Sequence, residues 1–460
     1  MKRWLLYIVL FVAQSVTAQS LFTVDEFIQQ VRQYHPVAKQ ANILVDQAAA
    51  ELLAAKGAFD PAVMLDASRK TFDGKNYYYY TNPELKLPTW VGIDVKAGLE
   101  SNGGTYLNPE VTSGNTSYLG VEVPLAKGLL MDKRRAAVQQ ARILRSQSEQ
   151  ERMAAINDLL FDAYTSYWQW AGQYSLYNLY STFLDVSNKR FRLVKLSFVN
   201  GDRSAMDTLE AFAQLQNVAM MQTEALAKLN DAVLDLSNYL WIDRDSAYLL
   251  PSTAKPDTVR FAAYAEPVDA EAVIANAYLQ HPLLRTYQFK LESLQVERKL
   301  KFQSLLPVLN AKANLLNKNY YVLKGVDAAF LQNNYKWGID FKLPLFLREG
   351  RGSYQQAKLK IENTNYAFTA KQWEIENKIR SYFNQFIQLQ KQLQITQSAF
   401  DSYRLLLRQE ELRFANGESS LFVINSRENK VIETGQKLAE LRIKYQKAYY
   451  AVQWAAGMLR

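Results

Sequence analysis

The chain has 460 residues, a formal charge of +9, 48% hydrophobic residues and no cysteine. The missing cysteine excludes disulfides, thiolate catalysis, thiolate metal sites and a lipid-modified N-terminal cysteine. The charge falls to +7 without Lys2 and Arg3, and the other basic residues are interspersed with acidic ones along helical stretches, so no clustered basic face points to nucleic acid.

Taken in chain order, residues 1–18 have the form of a secretory signal. Lys2 and Arg3 precede an apolar run from Trp4 to Val12, and Val16-Thr17-Ala18 ends it with small residues. The mature chain is expected to start at Gln19. After Val12 no uncharged apolar stretch approaches the roughly 18 residues of a spanning helix. Membrane crossing, if it occurs, therefore falls to strands. Thr23-Val24-Asp25-Glu26 reads as a capping box opening a short helix that stops before Pro36, and a second helix runs from Pro36 to about Gly57.

The period then changes from 3.6 to 2. Val63, Leu65 and Ala67 alternate with Met64, Asp66 and Ser68; Val91, Ile93, Val95, Ala97 and Leu99 form another alternation, and Leu119, Val121 and Val123 a third. The last runs into Pro124, which is expected to lie in the first turn of a helix of unusual length. Its clearest part, Arg134 to Phe198, lacks proline and has very little glycine, and about 70 residues of helix span about 100 Å. Asn200-Gly201 ends it, and a helix of about 40 residues, Ala205 to Trp241, returns.

The sequence then repeats itself. His35-Pro36 returns as His281-Pro282 and Asp60-Pro61 as Leu306-Pro307, both at one offset. Gln139-Gln140-Ala141 returns as Gln355-Gln356-Ala357 and Asn200-Gly201 as Asn416-Gly417, both at a second, shorter offset. Each pair of segments thus aligns without a gap, and the change of offset between them places an insertion in the first strand region. Duplication of a whole architectural half follows, with a first repeat over 19–243 (strands within about 61–124), a linker over 244–267 and a second repeat over 268–460 (strands within about 307–344). In the second repeat Leu309, Ala311, Ala313 and Leu315 alternate with polar residues, as do Trp337, Ile339, Phe341 and Leu343, which run into Pro344. Helices over about Ser353 to Phe414 and Leu421 to Met458 follow. In each half the helix that starts at Pro36 or Pro282 is expected to stack on the end of the returning helix, so that together they match the long one.

The expected fold is mainly α with a β membrane portion: duplicated long antiparallel helical hairpins and about four principal strands per chain. Four strands cannot close a barrel and open edges cannot face lipid, so three copies would complete a 12-stranded barrel. Tyr77, Tyr78, Tyr79, Tyr80, Trp90, Tyr118, Tyr320, Tyr321 and Trp337 are candidates for its aromatic belts at the membrane interfaces.

The two-half layout, the junctions Val121-Glu122-Val123-Pro124-Leu125 and Phe341-Lys342-Leu343-Pro344-Leu345, and the turns at Asn200-Gly201 and Asn416-Gly417 together resemble the TolC family of outer membrane efflux proteins over nearly the whole mature chain. The resemblance implies a homotrimeric channel-tunnel in the outer membrane of a Gram-negative bacterium, in contact with its lipid and extending into the periplasm. It also implies a periplasmic adaptor and an inner-membrane pump as partners, in a tripartite efflux pump or a type I secretion system. By the same resemblance the helix turns form the periplasmic entrance and adaptor-docking surface, carried here by Asn200, Gly201, Asp202, Arg203, Asp207, Asn416, Gly417, Glu418 and Val423. Asp207 follows Gly201 at the family's spacing, where an acidic ring constricts some members, whereas Val423 stands at the equivalent place in the second half.

An enzyme would need a convergent acid, base or nucleophile set, and none stands out. His35 and His281, the only histidines, each precede a proline at a helix boundary and read as cap residues, without a second metal ligand at helical spacing. No cofactor is expected. The competing class is a periplasmic coiled-coil adaptor or structural protein without a pore, which explains the long helices but not the one-sided strands.

Overall fold

The computed structural model describes residues 21–251, 253–320 and 333–460. The predicted signal segment and Tyr321 lie outside these residues.

The first repeat begins with helices α1 (Val24–Tyr34) and α2 (Pro36–Lys56). Thr23 caps α1 in a reciprocal box with Glu26, and His35 closes it at its C-terminus, because a residue before proline is held in extended conformation. Four strands follow: β1 (Ala62–Phe72), β2 (Lys75–Pro88), β3 (Asp94–Gly103) and β4 (Gly114–Pro124). The long helix α3 (Lys133–Val199) and the returning helix α4 (Ala205–Ser237) complete the repeat. The second repeat contains α5 (Ala270–Gln280), α6 (Pro282–Phe302), β5 (Val308–Lys318), β6 (Tyr335–Lys342), α7 (Arg348–Ala415) and α8 (Leu421–Ala455). The starts of α1, α2 and β1 recur at the first sequence offset in α5, α6 and β5, and that of α4 recurs at the second in α8.

The segment between the repeats is ordered rather than a bare connector. Lys255–Pro256 pairs in parallel with Leu21–Phe22, and a short helix, Thr258–Ala262, carries Phe261 into the core.

Two compact units cut across the repeats. Of the described residues, the first joins 21–42, 152–251, 253–282 and 372–460. Its core is built on the middle of α3, where Tyr167, Trp168 and Trp170 are buried among Phe27, Leu236 and Phe261. Aromatic side chains remove more apolar surface from water than any others, so this cluster dominates the unit's packing energy. The Trp168 and Phe261 rings stack at 6.1 Å. In the same unit each returning helix ends against the helix boundary that carries its histidine. His35 stacks on Tyr239 at 5.8 Å, and Gly457, just past α8, lies so close to His281 and Pro282 that an added Cβ would sit 2.6 Å from the proline ring. The stacking expected from sequence is therefore present in both repeats, and both histidines are helix C-caps.

The second unit, residues 43–151, 283–320 and 333–371, contains one antiparallel sheet of order β6-β5-β4-β3-β2-β1. Here the expectation of about four principal strands is corrected to six. Asp73, at φ 51°, and Gly74, at φ 70°, turn the chain from β1 into β2, and a turn around Gly92, at φ 87°, leads from β2 into β3. That turn also takes Val91 and Ile93 out of the strand to which the alternation assigned them. Among the described residues no helix is long and apolar enough to cross a membrane.

Candidate functional site

Two features are candidates for function: the wall formed by the sheet, and the paired helix turns with the polar contacts behind them.

The sheet has two chemically distinct faces because the alternation of every strand is in phase with its neighbour. One row of paired residues crosses all six strands, Val63, Leu85, Ala97, Leu119, Leu315 and Tyr335. A second row, Leu87, Val95, Val121, Ala313 and Trp337, crosses β2 to β6. This face lies open: Val63 is 79% and Trp337 66% exposed. The opposite face is charged and internally paired, with Lys86 to Asp94 at 2.9 Å, Lys96 to Glu122 at 2.8 Å and Lys312 to Asp340 at 2.5 Å. Thr116 donates to Glu100 at 2.9 Å and Tyr118 donates to Glu84. An apolar outer face and a polar inner face are what a wall between lipid and water requires.

The candidate interface aromatics divide between these faces. Tyr77, packed on Tyr106 at 4.8 Å, and Tyr320 lie at the strand ends far from the helices, whereas Trp90 sits in the turn at the helix end, edge-on to Phe59 at 4.4 Å. Tyr79 pairs with Gly103 in phase with the apolar face. Tyr118 does not suit a lipid belt: its hydroxyl belongs to the polar face. Tyr80 alternates with Tyr79 and stacks on Tyr78 at 5.0 Å, so this pair also departs from the apolar row. A run of four tyrosines necessarily populates both faces of a strand.

The junction prolines act differently from expectation. Neither Pro124 nor Pro344 opens a helix: Pro124 is the last residue of β4, pairing with Asn310, and α3 starts only at Lys133, while Pro344 lies just past the end of β6 and α7 starts at Arg348. Beyond Pro124 the Leu125 and Lys127 amides still donate to Leu309 and Pro307 at 2.7 and 3.1 Å. Asp132 then accepts from the Arg135 amide at 2.8 Å and begins the helix.

The two helix turns have the same backbone design. The amides of Gly201 and Asp202 donate to Phe198 and Ser197, and those of Gly417 and Glu418 to Phe414 and Arg413, in a Schellman arrangement with glycine φ values of 87° and 79°. Asn200 and Asn416 occupy the last positions before these glycines, donating to Leu196 and Leu412. Arg203 stacks its guanidinium 4.6 Å from the Phe414 ring, so the two turns lie side by side. Their caps differ. Ser204 and Asp207 form a reciprocal box at 3.1 Å, whereas Ser420 makes no side-chain cap bond and Val423, at the matching position, has no side-chain acceptor to return one to the Ser420 amide. Asp207 is thus occupied in holding a helix end. Leu196, Val199, Met206, Leu209 and Phe422 around the turns are exposed.

Behind the turns is a buried polar cluster that sequence reasoning missed. Glu428 on α8 is 0% exposed. It accepts from Arg190 at 2.5 Å and Ser187 at 3.1 Å on α3 and from Gln214 at 3.2 Å on α4. Asn425 donates to Glu210, and Gln214 to Asn429. Glu411 of α7 lies 3.9 Å from Arg190; burial raises its pKa, Arg190 lowers it and Glu428 adds to the rise. One signal was present in the sequence, the spacing of three or four that puts Ser187 with Arg190 and Glu210 with Gln214 on one helix face. A polar face alone reads as solvent-facing. No group of acidic or histidine residues able to hold a metal occurs among the described residues.

With this geometry in view, residues 273–458 match the profile of the family described as outer membrane efflux protein. No characterised protein sequence matches the chain. Solved structures match along its length. The CmeC outer membrane channel of Campylobacter jejuni superposes with a TM-score of 0.66 at 15% identity, over 95% of this chain and 85% of that one. The open state of the MtrE outer membrane channel of Neisseria gonorrhoeae gives 0.67 at 13% identity, over 95% and 89%. The outer membrane protein VceC of Vibrio cholerae gives 0.63 at 15%, over 94% and 95%. The chain has the fold of an outer membrane channel. The likeness of fold extends over almost the whole chain, and the profile match falls within the second repeat.

Proposed function

We propose that this protein is the outer membrane channel of a tripartite efflux pump or type I secretion system, a passive trimeric exit duct across the outer membrane and periplasm. The observation that carries this reading is the two-faced sheet, both of whose edges are unpaired among the described residues. Its open apolar face suits lipid, its charged face suits a wet lumen, and its free edges require further copies. The chain also holds helices of 67 and 68 residues, each about 100 Å long, a length suited to the periplasm. A periplasmic adaptor docks on the tips through Asn200, Gly201, Asp202, Arg203, Asp207, Asn416, Gly417, Glu418 and Val423, with the exposed apolar side chains around them supplying buried area. The inner-membrane pump supplies the energy, so the channel needs no catalytic group or cofactor.

Negative-stain electron microscopy of protein extracted from outer membranes in detergent tests this. Threefold particles bearing a tube about 100 Å long are expected, from the rise of an α-helix. Compact or filamentous particles recovered without detergent would overturn the channel.

A further inference from the structure

We propose that each chain contributes six strands to the membrane wall, so that a trimer closes eighteen strands and not twelve. The proposal rests on the channel reading above and concerns the width of the duct.

The two repeats identify what has been added. The segment from the start of β1, at Ala62, to its closing proline, Pro124, is much longer than the matching one from Val308 to Pro344. In the second repeat the corresponding strands, β5 and β6, are neighbours. In the first, β1 and β4 are held apart by β2 and β3, which are the inserted segment.

That hairpin is built as wall. β1 pairs with β2 along its length, and β4 with β3, so neither outer strand pairs with the other. Leu85 and Ala97 fill the apolar row between Val63 and Leu119 without interruption. On the other face Lys86 pairs with Asp94 and Lys96 with Glu122, which joins the inserted strands to each other and to β4 in the charged lining. A hairpin lying on the surface would need one apolar face at most. Here both faces continue those of the flanking strands.

The partner for the free edges is a second copy of this chain. With six antiparallel strands, β1 and β6 run in opposite directions, so β6 of one copy can receive β1 of the next in the same antiparallel sense, and the ring closes. Barrel diameter grows roughly linearly with strand number, so eighteen strands give a wall about one and a half times as wide as twelve.

Two measurements on the full chain, extracted from outer membranes in detergent and reconstituted in lipid, test this. In a cryo-EM map, a threefold assembly with eighteen wall strands is expected. A threefold assembly with twelve, and residues 75–103 outside the wall, would overturn the proposal and leave the channel reading intact. The absence of a membrane barrel would overturn both. Independently, the chain has no cysteine, so single spin labels can be placed cleanly. Labels at Leu85→Cys and Ala97→Cys should be relaxed by lipid-soluble oxygen and one at Lys96→Cys by a water-soluble nickel complex. Nickel access at all three positions would place the hairpin in water and overturn the proposal.

Discussion

Glu428 carries a large energetic consequence for one side chain. Its carboxylate is wholly buried and held by Arg190, Ser187 and Gln214. Removing one partner of a buried ion pair leaves an uncompensated charge, at a cost of about 3–5 kcal/mol. Arg190→Ala should therefore destabilise the folded chain by that order, visible as a lowered thermal midpoint in detergent. Arg190→Met combined with Glu428→Leu should recover most of the loss. His35 gives a pH dependence with a definite sign. Its Nδ1 accepts from the Val37 amide at 3.2 Å, a bond only the neutral ring can make. Burial lowers its pKa below the ordinary 6.5, while a hydrogen bond with the Asn238 backbone opposes the shift. The unfolded chain then takes up the proton first, so this contribution to stability is complete above 6.5 and is lost as pH falls through the interval below it. His35→Gln should flatten the stability profile in that interval, measured by urea unfolding at stepped pH.

At the scale of elements, the duplicated hairpins are alike in backbone and unlike in caps. Ser204 and Asp207 satisfy each other's orphan donors, and Ser420 has no such bond. Ser204→Ala should cost about 1 kcal/mol and Ser420→Ala a few tenths at most, a difference that calorimetry of the two variants would resolve. Half of this asymmetry was readable before the structure, since Val423, at the position that matches Asp207, has no side-chain acceptor for the Ser420 amide. So were the helix boundaries, because His35-Pro36, His281-Pro282, Asn200-Gly201 and Asn416-Gly417 act through their own backbone constraints. β2 was harder to read. Its four tyrosines place aromatic rings on both faces and Pro83 follows them, so period-2 alternation shows only from Glu84 to Leu87 of a strand of 14 residues. Its pairing with β1 and β3 overrides local propensity.

For the whole molecule, the two faces of the wall predict opposite tolerances. Val121→Lys puts a charge on the lipid face and should cost about 2–4 kcal/mol if near the mid-plane. Asn314→Lys, on the polar face, should have little effect. Urea unfolding from lipid vesicles would separate them, and equal losses would argue against a lipid-facing apolar side.

The sequence by itself determined the duplication, the helix hairpins with their turns, the one-sided strands and the resemblance to efflux channels. Each depends on spacing or on backbone chemistry within a few residues. Tertiary structure alone decided that six strands share one sheet, that Tyr118 faces the polar side, that Pro124 ends a strand, and that Glu428 is buried among partners from different helices. Pairing register and burial are set between segments far apart in the chain, as in the contact of Ser187 with Glu428, and periodicity along one segment carries no record of what lies opposite it.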